Sequence, residues 1–281
     1  MYIALDIGGT NTRVGSFTSL DSNTLTEYIK FKTKEDYTRG LRNITDAISK
    51  FSNNEKLDAI GVSIASGISA DGKTVVDPNI PAWKAESLLS DLKSEYKIPV
   101  NIINDGTAGG IAESVWGNGK NLKSFTFLTW GTGLGGVTVE KLGNQLVVYE
   151  YEPGHLNIGG DGRKCRCGKV DCIESYVGGY AVEKRLNKKM SELSREEWDT
   201  VLECMEKGIL KILEKHPVDY LILDGNVIIK HPDFIKNLEK RLKGFVNNIT
   251  LLESSIGDKA PLYGTLMTLN TTFGIELHKD F

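Results

Sequence analysis

The chain has 281 residues, of which 40% are apolar and 25% charged, and its formal net charge is −3. This length suits one large domain or two lobes of ordinary size, and the composition is that of a packed globular protein. The charge gives no basic footprint for nucleic acid or an anionic membrane, and the sequence shows neither a secretory signal nor an apolar run of spanning length. We therefore expect a soluble cytoplasmic protein with no nucleic-acid or membrane partner.

The chain begins with a predicted strand, a glycine turn and a second strand. Apolar alternation and β-branched residues indicate strands over Tyr2–Asp6 and Thr12–Phe17, and Gly8-Gly9 forms the turn between them. A hairpin with paired glycines at its tip is predicted at the start of the chain.

This first turn has the composition of a phosphate-binding loop. Gly8 and Gly9 allow the backbone to approach a phosphate closely, and the hydroxyls of Thr10 and Thr12 add hydrogen-bond donors. Asp6 ends the strand, where a carboxylate is a candidate ligand for Mg²⁺, directly or through water. The alternative is that the glycines serve only the tight turn.

The remainder of the first half alternates helix and strand. The spacing of apolar residues predicts helices over Asp36–Phe51 and Ala85–Tyr96 and buried strands over Ala59–Ala65 and Val100–Ile103. This alternation favours an α/β lobe with a mixed sheet.

An asparagine and an aspartate follow the last of these strands. Asn104 and Asp105 stand where the strand ends, and Thr107–Val115 is predicted to be helical. A carboxylate at the carboxyl end of such a strand points into the crevice where α/β proteins bind ligands. Asp105 is therefore a candidate general base for phosphoryl transfer to a hydroxyl. An aspartate at this position equally suits the N-terminal cap of the helix, and both interpretations stay open.

The second half repeats the opening plan. Ser124–Trp130 and Gly136–Lys141 are predicted strands around the turn Gly131-Thr132-Gly133. Two lobes that each present a Gly/Thr turn suggest a nucleotide held between them. The glycine spacing also fits a dinucleotide fingerprint, but that motif requires a helix immediately afterwards, and a strand follows here. No P-loop motif occurs.

Cysteines in the second half predict a structural zinc site. Three of the four cysteines, Cys165, Cys167 and Cys172, lie within eight residues, and His155 precedes them. Three thiolates and an imidazole form a closed tetrahedral zinc site with no position for a reactive water. Cys204 lies in an apolar helical pattern and is expected in the core.

Two glutamates flank this cluster. Glu152 and Glu174 are either surface charges or acceptors for sugar hydroxyls on a loop that the zinc holds in place. Further along the chain, Ser194 and Glu197 form a candidate capping box, Asp219–Leu223 is a predicted strand, and Pro232–Leu252 is predicted to be mostly helical.

Taken together, these motifs resemble the ROK family of repressors, open reading frames and sugar kinases. The resemblance runs from residue 1 to about residue 187 and more weakly to the end. It is carried by the following segments: Asp6–Arg13, Pro78–Trp83, Asn104-Asp105, Leu128–Gly136, Glu152–His155 and Cys165–Glu174.

The resemblance implies the actin-like hexokinase (ribonuclease H-like) α/β fold, with ATP in a cleft between two lobes. We expect an N-terminal lobe over residues 1–115, with the C-terminal helix packing back on it, and a C-terminal lobe over residues 116–281. It also implies Asp105 as catalytic base, Mg²⁺ with the nucleotide, and a homodimer. The implied sugar contacts are Asn79, Asn104, Asp105, Glu152, His155 and Glu174. The implied zinc ligands are His155, Cys165, Cys167 and Cys172. The implied nucleotide contacts are Asp6, Gly8, Gly9, Thr10, Asn11, Thr12, Gly131, Thr132, Gly133 and Gly225.

Three departures from the family pattern affect substrate choice. Ala65-Ser66 replaces a Pro-Gly pair, Ala82 replaces a glycine, and Asp224-Gly225-Asn226 replaces a glycine triplet beside the adenine. The first two concern the sugar, and the third concerns the donor nucleotide.

The expected activity is ATP-dependent phosphorylation of a hexose, with O6 of glucose as the first choice. N-acetylmannosamine, N-acetylglucosamine, mannose and fructose stay open as acceptors, polyphosphate stays open as a donor, and a non-catalytic sugar sensor is the alternative from another class. A repressor is disfavoured at this stage, because no helix-turn-helix module precedes Asp6 in this sequence.

Overall fold

The computed structural model describes residues 1–21, 24–53, 55–69, 71–76, 80, 82–270 and 274–280. The strands are β1 (Tyr2–Ile7), β2 (Asn11–Phe17), β3 (Glu27–Lys32), β4 (Ala59–Ile64), β5 (Gly67–Ile68), β6 (Thr74–Val76), β7 (Val100–Asn104), β8 (Ser124–Trp130), β9 (Leu134–Leu142), β10 (Gln145–Glu150), β11 (Tyr220–Asp224), β12 (Thr250–Glu253) and β13 (Gly274–Lys279). The α-helices are α1 (Tyr37–Ser52), α2 (Ala85–Tyr96), α3 (Asp105–Val115), α4 (Ile173–Val177), α5 (Gly179–Leu186), α6 (Arg195–Lys215), α7 (Asn226–Lys230), α8 (Asp233–Leu242) and α9 (Ala260–Met267).

Two mixed sheets organise the molecule. The first has the order β3-β2-β1-β4-β7, and the second has the order β12-β11-β8-β9-β10-β13. In each sheet a central strand pairs antiparallel with its successor and parallel with a later strand. β1 does so with β2 and β4, and β8 does so with β9 and β11. The repeated plan predicted from the sequence is therefore present, and it places one turn at the same end of each sheet.

Helices α3 and α9 lie between the two sheets. In α3, Ala108 and Ile111 are buried with Phe127 and Val137 of the second sheet. Helix α9 packs on β1 and β4 of the first sheet and against α3. The predicted boundary at residue 115 assigns α3 to the first lobe, whereas its apolar face contacts the second sheet. The helix that begins at Asp105 thus joins both halves of the molecule.

Local signals place most helix starts correctly. Asp36 caps α1 by accepting a hydrogen bond from the Arg39 N–H, and Ser194 and Glu197 form the predicted capping box of α6. Helix α6 buries its apolar face in the core of the second half.

The structure corrects one predicted element. Pro232–Leu252 is not one helical stretch, because α8 ends at Leu242 and β12 begins at Thr250. β12 pairs in parallel with β11. The periodicity of this short apolar run is compatible with a helix or a strand, and pairing with β11 makes it a strand. Within the described part of the chain, no helix has both the length and the apolar character needed to cross a bilayer.

Candidate functional site

A cleft of about 460 Å³ opens between the turns that follow β1 and β8. The residues that line it come from both halves of the chain: Gly8, Gly9, Thr10, Ala65, Ser66, Gly67, Asn104, Asp105, Thr129, Gly131, Thr132, Gly133, Leu134, Gly135, Glu152, His155, Arg166, Glu174 and Tyr180. The structure therefore brings both predicted turns, the candidate base and the predicted sugar contacts Glu152, His155 and Glu174 into one cavity.

The first turn is held by its own sheet. The Gly8 N–H donates to the Asn11 carbonyl at 3.0 Å, and the Thr33 hydroxyl donates to the Gly8 carbonyl at 2.7 Å. Gly8, Gly9 and Thr10 line the cleft. Thr12 is buried, and its hydroxyl lies 3.0 Å from that of Thr33, so Thr12 supports the turn. Neither Thr12 nor Asn11 lines the cleft.

Asp6 lies beneath this turn and is only 3% exposed. Its Oδ1 accepts from the Ser63 hydroxyl at 2.7 Å, and its Oδ2 accepts from Arg13 at 2.6 Å. Burial raises the pKa of Asp6, and Arg13 and Ser63 oppose this rise. Because Asp6 is buried and does not line the cleft, contact through a water is the arrangement that fits a Mg²⁺ ion bound in the cleft.

The second turn is braced from outside its own hairpin. The Gly131 carbonyl accepts from the Gly179 N–H at 2.9 Å, and the Thr132 carbonyl accepts from the Tyr180 N–H at 2.9 Å. The Leu134 N–H donates to Oε2 of Glu174 at 3.0 Å. The start of α4 and the start of α5 therefore set the position of this turn.

The structure assigns the N-cap of α3 to Asn104, although the Asp105 Oδ1 also accepts from the Gly106 N–H at 2.9 Å. Asn104 is the N-cap of α3, since its Oδ1 accepts from the N–H groups of Gly106 and Thr107 and its Nδ2 donates to the Ser66 carbonyl. Asp105 is the first helical residue, and its carboxylate lines the cleft. Burial first, and the charge of Asp6 second, raise the pKa of Asp105 to about 7. Asp105 is thus available to accept a proton near neutral pH.

Glu152, His155 and Glu174 form the wall opposite the first turn. Glu152 has a φ of 50°, a strained left-handed conformation for a residue other than glycine, and it precedes the 3-10 turn Pro153–His155. Burial first, then the charge of Asp105, raises the pKa of Glu152 to about 7. Gly154 is required next to it, because a Cβ there would collide with the Leu134 carbonyl oxygen.

The four predicted zinc ligands converge at one point. The ligand atoms of His155, Cys165, Cys167 and Cys172 all lie within 4.8 Å of one another. The Cys167 and Cys172 sulfurs are 3.6 Å apart, and the Cys165 sulfur is 3.7 Å from Nδ1 of His155. The edges of a tetrahedral zinc site with these ligands are about 3.6–3.8 Å long, so the cluster fits zinc. His155 also lines the cleft, so the cluster and the cleft share this residue.

A smaller cavity of about 230 Å³ adjoins the second turn on its other side. Gly131, Thr132, Asn226 and Lys230 are among the residues that line it. Gly225 does not line it, but its φ of 99° and its contact with the Trp130 backbone admit only glycine there. The predicted contact Asn79 lies outside the described residues.

Arg166 and Tyr180 are among the cleft-lining residues that sequence reasoning did not propose as contacts. The Arg166 guanidinium stacks 4.3 Å from the Tyr180 ring centre, and its Nη2 lies 3.7 Å from Oε1 of Glu174. Arg166 lies between the predicted zinc ligands Cys165 and Cys167 in the sequence, and this position could have identified it as a residue near the site. No local pattern pointed to Tyr180.

Comparison with known proteins identifies related chains. The family model described as "ROK family" matches residues 2–271. The xylose repressor of Bacillus subtilis (strain 168) is 29% identical over 230 residues, which cover 74% of this chain and 60% of the repressor. The glucokinase of Streptomyces coelicolor is 30% identical over 189 residues, which cover 65% of this chain and 57% of that enzyme. This chain therefore spans less than two thirds of the length of these curated relatives.

A solved structure shares the fold over almost the whole chain. The ROK family glucokinase from Streptomyces griseus in complex with glucose and AMPPNP has a TM-score of 0.74 and 20% sequence identity, and the match covers 94% of this chain and 97% of that one. At this identity the likeness establishes the fold alone. The α/β, actin-like hexokinase fold predicted from the sequence is confirmed.

Proposed function

The chain belongs to the ROK family, and we propose that it is a sugar kinase that transfers the γ-phosphoryl group of ATP to a hydroxyl of a hexose. The observation that carries this proposal is that both glycine turns and Asp105 line a single cleft. This combination suits phosphoryl transfer, because catalysis consists mainly of positioning the phosphates and orienting the attacking hydroxyl.

In the proposed mechanism the turns hold the triphosphate and Asp105 orients the acceptor. The backbone N–H groups of the turns at Gly8-Gly9 and Gly131–Gly133 bind phosphate oxygens. The sugar oxygen attacks the γ-phosphorus as the bond to ADP breaks, and the hydroxyl proton passes to Asp105. A Mg²⁺ ion bound with the nucleotide supplies neutralising charge. The raised pKa of Asp105 suits a base that works near pH 7.

The sugar is proposed to lie against Glu152, His155 and Glu174. Its hydroxyls would donate to the carboxylates, and the zinc ligands Cys165, Cys167 and Cys172 with His155 hold this wall in place. Asn104 contributes one remaining N–H, because its other side-chain bonds serve the cap and Ser66. Glucose, phosphorylated at O6, stays our first choice, and N-acetylated hexoses, mannose and fructose are the other acceptors to test.

The decisive experiment replaces the base and preserves its shape. Asp105→Asn should lower kcat by about 10²–10⁴-fold while the dissociation constant for the sugar changes by less than about threefold. The assay follows sugar-phosphate formation over a panel of hexoses, with ATP, GTP, ADP and polyphosphate as donors. Asp233→Asn, an exposed change at the start of α8, is the matched control. Near-normal turnover by Asp105→Asn would refute the assignment.

A second candidate is a sugar-responsive regulator without catalysis. The similarity to the Bacillus subtilis xylose repressor favours it. Such a protein would bind a sugar in this cleft and form no sugar phosphate with any donor. The same panel, combined with calorimetric measurement of sugar binding, separates the two functions. The expected homodimer and cytoplasmic location stay predictions, and light scattering of the purified protein tests the first.

A further inference from the structure

A second cavity of about 420 Å³ lies behind the second turn, between the zinc loop and α5. Thr132, Arg166, Glu174 and Tyr180 line both this cavity and the reaction cleft. The two spaces therefore adjoin at the second turn, and Thr132 of that turn lines both of them.

This second cavity, which we call the basic pocket, is strongly cationic. Its charged lining comes from the zinc loop and one face of α5: Arg163, Lys164, Arg166, Lys184 and Arg185. Among the described residues that line it, Glu174 is the one carboxylate.

Several of these cations lack a matching acid. Lys164, Lys184 and Arg185 form no ion pair within 4.0 Å in the described part of the chain. Arg163 pairs through Nε with Asp161, but its Nη1 is buried with no hydrogen-bond partner. Arg185 makes one long contact, 3.5 Å, to the Ser175 carbonyl. Loss of solvent contact, and then the charge of Arg163, lowers the pKa of Arg185.

The zinc cluster does not neutralise this charge. Three thiolates and a neutral imidazole around Zn²⁺ carry one net negative charge. Asp161 and the buried Asp171 add two more, and Glu174 adds a third. The five cations still exceed these acids, so an anion in the pocket would relieve repulsion among neighbouring guanidinium and ammonium groups.

We propose that the basic pocket binds a linear polyphosphate anion, whose end reaches the second turn at Thr132. Guanidinium groups match phosphate oxygens through paired N–H donors, and the lysines add mobile point charges. A chain of several phosphoryl groups uses both the pocket and the turn, whereas a single phosphate occupies one of them. Polyphosphate is also one of the donors that the departure at Asp224-Gly225-Asn226 left open.

Binding in this pocket does not depend on catalysis, but use of the chain as a donor rests on the proposed function. In that step the sugar oxygen forms a bond to the terminal phosphorus and the terminal P–O–P bond breaks. The hydroxyl proton goes to Asp105, and a polyphosphate shorter by one phosphoryl group leaves.

The test compares two ligands and two double variants. Calorimetry measures tripolyphosphate and AMPPNP binding to the wild type, to Lys164→Gln/Lys184→Gln, and to the control Lys207→Gln/Lys211→Gln. The control removes the same charge from exposed positions on α6, and all four lysines are exposed, so folding is retained. We expect the pocket variant to weaken tripolyphosphate binding by about tenfold or more and AMPPNP binding by less than about twofold.

Equal losses for both ligands, or no loss for either, would overturn the proposal. A second arm separates the sources of the anion. Sugar phosphorylation with polyphosphate alone identifies a donor, and tripolyphosphate that binds together with AMPPNP and changes the ATP-dependent rate identifies an effector. If no donor supports transfer, the kinase proposal fails while the binding result still decides the pocket.

Discussion

The two glycine turns have the same place in their sheets but different supports. The first turn is held by hydrogen bonds within its own sheet, chiefly from Thr33. The second turn is held by residues far along the chain, through Glu174 and the N–H groups of Gly179 and Tyr180. One turn is therefore self-contained, and the other depends on the loop that carries the predicted zinc ligands.

This difference links the predicted zinc site to the proposed nucleotide site as well as to the proposed sugar contacts. Glu174 follows Cys172 by two residues, contacts the second turn through Leu134, and lines the cleft. Disorder in the zinc loop would thus reach the second turn directly. The first turn has no such connection among the contacts described for it.

Loss of a predicted zinc ligand should have the largest effect, and it should affect the second turn much more than the first. Cys167→Ser should release zinc and lower the Tm by about 10 °C, since a structural zinc site contributes several kcal/mol to folding. Hydrogen exchange of the Gly131 and Leu134 amides should rise, while the Gly8 amide stays protected. Metal analysis and exchange measured by mass spectrometry check this. Cys204→Ser, outside the cluster, is the control, and equal deprotection of both turns would contradict the comparison.

Two glycine substitutions should have different effects, because one glycine is needed for packing and the other for the approach of a phosphate. Gly154→Ala forces the 3-10 turn away from the Leu134 carbonyl and should cost about 1–3 kcal/mol of stability, with weaker sugar binding. A Cβ at Gly131 meets no atom within 4 Å, so Gly131→Ala should change stability by less than about 0.5 kcal/mol. It should still weaken AMPPNP binding about tenfold, because the methyl group occupies the phosphate approach.

Urea unfolding and calorimetry measure these two effects. A Gly131→Ala protein that binds AMPPNP normally would show that this turn does not contact phosphate.

Ionisation of Asp105, which lines the cleft with the two turns, should lower the stability of the fold and raise the activity. The pKa of Asp105 is raised from 3.8 to about 7, so the protonated carboxyl favours the folded state. That stability is complete below about pH 4 and is lost as the pH rises through about 7. Asp105→Asn should therefore raise the Tm at pH 8 by about 2–5 °C and leave it unchanged at pH 4.

Thermal unfolding at the two pH values tests this prediction. The wild-type transfer rate should rise over the same pH range, since the base must be ionised. An Asp105→Asn protein that gains no stability at pH 8 would show that Asp105 is already ionised without cost.

The smallest effect is expected at Asp258, which forms ion pairs with Arg13 and Lys30 at the protein surface. Asp258 is about half exposed and lies 3.3 Å from Arg13 and 3.4 Å from Lys30. Asp258→Asn should cost less than about 1 kcal/mol and change kcat by less than twofold, because Arg13 keeps its 2.6 Å contact with Asp6. A tenfold loss of kcat in steady-state kinetics would show that the first turn also depends on distant supports.

The sequence alone predicted the components of the site. Cysteine spacing predicted a zinc site, since closed zinc sites use ligands that lie close together in the chain, and the structure brings the four predicted ligands together. Alternating apolar residues around Gly8 and Gly131 predicted two similar hairpins. Both signals are local, and the structure brings the two turns, Asp105 and the predicted contacts Glu152, His155 and Glu174 together in one cleft.

The tertiary structure decided which of these groups face the cleft. It assigned the cap of α3 to Asn104, which leaves Asp105 exposed to the cavity, and it turned Thr12 toward Thr33. It also paired Asp6 with Arg13, formed β12 from a segment predicted to be helical, and placed Lys184 of α5 beside Lys164 in the basic pocket. The spacing of residues in the sequence predicts contacts only between residues that lie close together in the chain. The direction of a side chain and the meeting of distant loops depend on how the two sheets and the helices between them pack.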